Sequence, residues 1–449
     1  MAVDGPEALP PERAAVHRRV WGIAFPAILA NSSAPLLGLV DTWAVGHLPG
    51  AVHLAAVGLG SVIFNFLFWA FGFLRMGTTG LVAQAWGQDE LHALGRAVVR
   101  SAALALALGM LLWALQAPIW HLSLAALAPP EDVADLTAAY FDLRIWAAPA
   151  SLLVFTLTGV LFGLGRTTAV LVLQVALNLG NAALNVWFVV GLDLGVPGVA
   201  LGTVLAQWGA VALGGWLVLR EPALAAFRTA LRNRGTWVLA GFRPLALLNG
   251  FIFLRTVLLM VALTLVMREA AGLGETAMAA SHVLNQYLLL ISLGLDGFAH
   301  AAEAQAGAAW GRRDRAAFQR WVRAAGFWAV VASGLYAAGF WFAGDAITAL
   351  LTDLEDVRAA VSAVMPLVAA LPVVAVWCYH FDGVYIGATA AGAMFVTMAI
   401  AFAAYLALLG PLTDRFGLAG LWGAVLVFMA VRGAAQAAWY PRLVARLSP

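Results

Sequence analysis

The sequence predicts an all-α integral membrane protein, with twelve transmembrane helices in two parallel-repeat lobes of six. Three observations predict it. The chain of 449 residues is 63% hydrophobic and only 11% charged, with 18 Trp, more apolar surface than a water-soluble globule can bury. Apolar stretches of about twenty residues, each long enough to cross the hydrocarbon core, recur twelve times. Short motifs also return at a nearly constant offset: Gln84-Ala85-Trp86-Gly87 reappears as Ala308-Ala309-Trp310-Gly311, 224 residues later. Gly159, Val160 and Gly163 return as Gly383, Val384 and Gly387 at the same shift, and Gly195-Val196-Pro197-Gly198 as Gly417-Leu418-Ala419-Gly420, shifted by 222. With six spans per repeat, both halves enter the membrane in the same direction, an arrangement used by alternating-access transporters.

The first span is centred near residue 32 and carries Pro26, Asn31, Pro35 and Asp41. Its prolines remove helix hydrogen bonds and predict a bend. A carboxylate within such a helix costs about 3 kcal/mol by insertion scales, so Asp41 marks an ion, proton or substrate path. The next three spans, near residues 68, 108 and 150, carry Arg75 and the repeated glycines. The fifth, near 179, holds Gln174, Asn178, Asn181 and Asn185 at spacings of four, three and four, which place all four on one helix face. One intramembrane Asn is often only packing glue between helices, whereas four aligned amides predict a polar pathway. The sixth, near 208, contributes Thr203. A polar linker, Arg220 to Arg243, then divides a first lobe (1–225, with a short N-terminal tail) from a second (226–449).

The second lobe repeats the plan near residues 256, 292, 332, 370, 400 and 430. Its eighth span has a polar stripe of Asn285, Ser292, Asp296 and Glu303, with His300 at the edge. Arg255 in the seventh span lies at about the depth of Asp296, which predicts a neutralised buried pair. Glu303, Asp382 and Arg75 sit one or two turns inside one boundary, and Arg75 with Glu303 forms a candidate inner gate, the alternative being snorkelling or packed charges. The 25 basic residues are all Arg and concentrate in the tail, the linker and the loops of one face, while Glu131-Asp132 and Asp353 to Asp356 lie on the other. The positive-inside rule therefore predicts that both termini and the linker are cytoplasmic. No cleavable leader is expected, since the first apolar stretch is too long and lacks a small-residue cleavage site.

Asp41, Asn185 and Thr203 fall at similar depths, with Asn181 one turn below. A carboxylate, two amide oxygens and a hydroxyl suit a hard cation such as Na⁺. They equally suit a hydrogen-bonded nest around a carboxyl that gains and loses a proton, and the residues alone leave both open. Trp43, Phe64, Phe155 and Tyr287 are candidate aromatic walls of a substrate pathway, alongside Gln174 and Asn178. The chain has no phosphate-binding loop, no clustered His ligands and one Cys, Cys378, so ATP hydrolysis, a disulfide and a cysteine metal centre are not expected, nor is an enzyme or any cofactor beyond a coupling ion. A net charge of +2 gives no argument for nucleic acid.

Several strings together resemble the multidrug and toxic compound extrusion (MATE) family, more closely its DinF-like branch, over nearly the whole chain. They are Val40-Asp41-Thr42 with Gly46-His47, Phe73-Leu74-Arg75-Met76 leading to Thr78-Thr79-Gly80, Leu295-Asp296-Gly297-Phe298-Ala299 with Glu303, and Asp382-Gly383-Val384 with Ile386-Gly387-Ala388-Thr389. The resemblance implies a monomeric, cation-coupled exporter of amphipathic, often cationic compounds in a bacterial inner membrane. It implies that Asp41 is the coupling acid, that the first helix bends near Pro26 as Asp41 is protonated, and that Asn181, Asn185 and Thr203 line the same cavity. Related members often carry Asp where Asn185 stands, which leans the expectation towards H⁺ rather than Na⁺. Other branches place a cation near the Asp382 position, so that acid stays a candidate. A flippase for lipid-linked precursors, which would need a strongly cationic cavity, and a channel are the rival readings; only Arg75 and Arg255 are expected deep inside the spans.

Overall fold

The computed structural model describes residues 13–46 and 50–447; within the first helix the side chains of residues 13, 34–42, 44 and 45 lie outside that description. Among the described residues the protein is helical throughout, without strands. Helix α1 spans Arg13–Gly46. Ten further helical stretches are long and apolar enough to cross a membrane: α2 (Ala51–Gly87), α3 (Leu91–Ala114), α4 (Glu131–Gly163), α5 (Thr167–Gly191), α6 (Gly195–Leu219), α7 (Leu239–Gly272), α8 (Glu275–Gly311), α9 (Arg315–Leu351), α10 (Met365–Gly387) and Ala391–Ala445. The last is two helices joined at Gly417, where φ is 56° and ψ −131°, and we label them α11 (391–416) and α12 (417–445). Each of the twelve expected spans thus corresponds to one helix.

The chain divides into two compact units: Leu29–Ala246, and Leu247–Pro449 together with the start of α1 up to Ile28. Helix α1 is therefore shared, and it passes from one unit to the other two residues beyond Pro26, which supplies no N–H to the helix ladder. In the second unit the first turns of α1 are held by aromatic contacts. The Trp21 ring meets Phe298 edge-on at 5.3 Å and Trp328 at 5.3 Å, and Trp328 Nε1 donates to His17 Nδ1 at 3.1 Å.

The duplication is written into the backbone. Gly50 and Gly274 have φ of 106° and 110°, Asp89 and Arg313 57° and 56°, Gly165 and Thr389 69° and 51°, Gly195 and Gly417 59° and 56°. These left-handed positions end or start helices, and each pair is separated by 222 or 224 residues. The repeated glycines also make the same approach twice. A Cβ on Gly159 would meet the Arg75 carbonyl and one on Gly163 the Thr79 carbonyl, packing α4 directly on α2. Gly383 and Gly387 stand in the same way against the carbonyls of Ala299 and Glu303, packing α10 on α8. Bare backbone at these crossings is how membrane helices reach close van der Waals contact without a hydrophobic driving force.

Candidate functional site

In the first unit, the amide stripe of α5 is turned inwards. Asn181 and Asn185 are 2% and 0% exposed, while Leu179 on the opposite face is 66% exposed. Asn185 Nδ2 donates to Asn181 Oδ1 at 3.2 Å, Asn181 Nδ2 donates to Thr203 Oγ1 of α6 at 2.9 Å, and Thr203 Oγ1 donates to the Val199 carbonyl at 2.9 Å. One turn earlier, Asn178 Nδ2 donates to Ser33 Oγ of α1 at 2.7 Å, and Ser33 Oγ donates to the Ala30 carbonyl at 2.7 Å. The stripe therefore ties three helices together through two directed chains of donors, one to α6 and one to α1.

Local backbone explains the approach. Any Cβ on Gly202 would run into Asn185 Oδ1, so glycine lets α6 close on the amide. Immediately beyond Asn185 the helix widens into a π-turn over Trp187–Gly191, closed by Leu192 N–H to the Trp187 carbonyl at 3.0 Å, a feature often found beside functional sites. The structure thus joins Asn181 and Asn185, expected from spacing, to Thr203, expected from depth, and sets Asn178 against Ser33, which sequence reasoning missed. Gln174 is half-buried and makes no hydrogen bond among the described residues. Asp41 falls in α1, its side chain outside the described residues.

The aromatic candidates separate. Trp43 is exposed and Phe155 half-buried, so both keep an open side. Phe64 is packed among Phe68, Tyr140 and Phe141, stacking on the last at 5.2 Å. Tyr287 is also buried, its hydroxyl donating to the Gly344 carbonyl at 2.8 Å and lying 2.8 Å from Thr348 Oγ1. These two rings line no open space in this structure and serve their units as core.

The second unit holds a buried charge cluster that differs from the expected one. Arg255 of α7 pairs with Asp382 of α10 rather than with Asp296. Arg432 of α12 donates to the same carboxylate oxygen, and Gln436, one turn on, donates through Nε2 to Asp382 Oδ1 at 2.7 Å. Asp296 instead accepts from Ser292 Oγ at 3.2 Å. Depth along a helix was legible in the sequence, but the direction in which Asp382 faces was not. Arg432 and Gln436 were missed although the signal was present: a lone Arg with Gln four residues on, inside an apolar span. The expectation that only Arg75 and Arg255 lie deep in the spans is likewise corrected, because Arg432 and Arg144 are both buried. Arg144 lies over the rings of Phe64 and Phe68 at 5.2 and 5.4 Å.

Of the gate candidates, Arg75 lies in the first unit over the Phe162 ring at 5.5 Å. Glu303 lies in the second, 2% exposed, with His300 Nδ1 3.4 Å from its Oε1. Among the described residues no group of His, Cys, Asp and Glu side chains is arranged to hold a metal ion.

Comparison with known proteins adds the family. The model of the MatE family matches residues 26–187. DNA damage-inducible protein F of Escherichia coli K12 is 38% identical over 430 residues, covering 95% of this chain and 92% of that protein. Human multidrug and toxin extrusion protein 1 is 32% identical over 192 residues, 42% of this chain and 33% of its own length. A crystal structure of MATE in the bent conformation superposes with a TM-score of 0.86, covering 97% of each chain at 18% identity, which establishes a shared fold.

Proposed function

The chain belongs to the MatE family of multi-pass multidrug and toxin extrusion transporters, and from that premise we propose that it exports amphipathic, often cationic compounds from a bacterial cell across the inner membrane by H⁺ antiport through Asp41. The observation that carries the coupling ion is the donor chain from Asn185 through Asn181 and Thr203 to the Val199 carbonyl. Its Thr203 hydroxyl both accepts and donates and Asn181 Oδ1 accepts from Asn185, so these two oxygens are engaged in hydrogen bonds, which favours a hydrogen-bond nest over a cation cage.

Helix register links this nest to Asp41. Helices α1 and α5 are both odd-numbered spans of an alternating bundle and so run the same way. From the Ser33–Asn178 hydrogen bond, Asp41 lies eight residues on and Asn185 seven. At 1.5 Å per residue these rises are about 12 and about 10 Å, which supports a common level for position 41 of the helix and the Asn185 end of the donor chain. The same register supports the cycle. Protonation from outside discharges Asp41, the amides exchange partners, α1 bends at Pro26, and the bound cation loses its counter-charge and leaves. Proton release to the cytoplasm restores the carboxylate for the next substrate.

The second-unit acid supports no second ion. Asp382 is surrounded by three donors, Arg255, Arg432 and Gln436, and a cation needs oxygen ligands in those places. Coupling is accordingly assigned to Asp41 rather than to Asp382.

The test is efflux of a fluorescent cationic dye from proteoliposomes under a pH gradient or a Na⁺ gradient applied separately, for the native chain and Asp41→Asn. The proposal expects efflux under the pH gradient and its loss in the variant. Efflux driven by Na⁺ alone would overturn H⁺ coupling, and no movement of dye under either gradient would favour the flippase reading, to which the buried Arg432 and Arg144 lend some weight.

A further inference from the structure

The second unit carries a cleft at the start of α9, of about 780 Å³, walled on one side by Val16 and His17 of α1 and on the other by Ala316, Gln319, Arg320, Arg323, Ala324 and Phe327. The α9 residues recur at three- and four-residue steps and so form one stripe along a single helix face. Along that stripe the chemistry changes in order. Arg320 and Arg323 come first, both exposed, followed by Phe327 at 55% exposure. Beyond it the exposed face of α9 is apolar, through Val330, Leu335, Trp341 and Phe342. The cleft therefore sits where α9 passes from a charged to a lipid-like surface, which is the membrane–water boundary.

No acid among the described residues pairs with its charge. Among the described residues neither Arg320 nor Arg323 has an ion pair or hydrogen bond. The nearest acid in sequence, Asp314, is engaged as the cap of α9, accepting from Ala317 N–H at 2.9 Å. His17 faces the cleft with its Nδ1 occupied by Trp328.

We propose that this cleft binds an anionic phospholipid, its phosphate on Arg320 and Arg323 and its acyl chains along Ala324, Phe327 and Val16. The charge-to-apolar order of the stripe fits a headgroup followed by a chain, and two guanidiniums with no anionic partner among the described residues fit a phosphate. One wall is the first turns of α1, so the bound lipid spans α1 and α9 and holds α1 on the second unit ahead of Pro26. The inference stands apart from the assignment of the coupling ion and is tested without transport.

The experiment is native mass spectrometry of the full chain released from nanodiscs of equal phosphatidylglycerol and phosphatidylethanolamine. The native chain is expected to retain phosphatidylglycerol over phosphatidylethanolamine. Arg320→Gln with Arg323→Gln is expected to lose at least half of that preference, and Arg228→Gln with Arg232→Gln, in the linker, to keep it. Ala316→Trp, which fills the cleft and leaves both guanidiniums in place, is expected to lower retention as well. Unchanged retention in both the double α9 variant and Ala316→Trp would overturn the proposal, as would equal loss in the linker variant.

Discussion

At the scale of single residues, the polar groups of the two units face different tasks. The first-unit donor chain runs through carboxamides and a hydroxyl to a backbone carbonyl, and its side chains can reverse roles at modest cost, which suits a network that must rearrange around a titrating carboxyl. Replacing Asn181 by Leu removes the acceptor of Asn185 and the donor to Thr203 together. We expect that variant to fold and to lose about tenfold or more of pH-driven dye efflux, measured on proteoliposomes with matched protein content; undiminished efflux would show the chain to be packing alone. Asp382 has the opposite character, since it is the counter-ion shared by two guanidiniums in the protein interior. Asp382→Asn leaves Arg255 and Arg432 facing each other without that shared carboxylate, a change worth about 3–5 kcal/mol of stability. Thermal unfolding followed by Trp fluorescence should show a clear fall in melting temperature, and an unchanged melt would contradict the cluster.

At the scale of elements, the repeat explains which parts of the site were legible. The amide stripe was readable because it lies on one helix, where spacing alone fixes the face. The Asp382 cluster was not, because it is assembled from α7, α10 and α12, and a linear sequence gives each residue's depth but not its azimuth. It also has no echo in the first unit, where the positions 224 residues before Asp382 and Arg255 and 222 before Arg432 are Thr158, Asn31 and Ala210. The shared backbone is preserved by glycine, and the polar chemistry has diverged upon it. A Cβ on Gly163 would stand 2.8 Å from the Thr79 carbonyl oxygen and one on Gly387 2.7 Å from that of Glu303, so a branched side chain at either must force two helices apart. Gly163→Val and Gly387→Val should each sharply reduce the yield of monodisperse protein, whereas Gly250→Ala, in open space on α7, should not; equal yields for all three would refute the close-packing argument.

At the scale of the whole molecule, composition and hydropathy gave the twelve-helix count directly, because a bilayer demands about twenty apolar residues per crossing wherever the chain passes through. The division between the two compact units falls at Ala246 and Leu247, just past the polar linker, and α1 is divided between them at Ile28 and Leu29, where no composition shift marks the point. Orientation is testable because the native thiol, Cys378, is buried and gives little background. Cysteines placed at Gly235 in the linker and at Leu447 near the end of the chain should react with an impermeant maleimide from the same side of the membrane, and one at Leu273, between α7 and α8, from the other. Labelling of Gly235 and Leu447 from opposite sides would contradict an even number of crossings.

The central claim is that one proton on Asp41 is exchanged for substrate, and it is tested most directly by recording lumenal pH and dye movement together in the same proteoliposomes. Addition of dye in the absence of any imposed gradient should drive proton movement opposite to the dye in the native chain, and Asp41→Asn should abolish the proton signal. Dye movement with no accompanying proton flux, or a proton flux that survives in Asp41→Asn, would contradict the account.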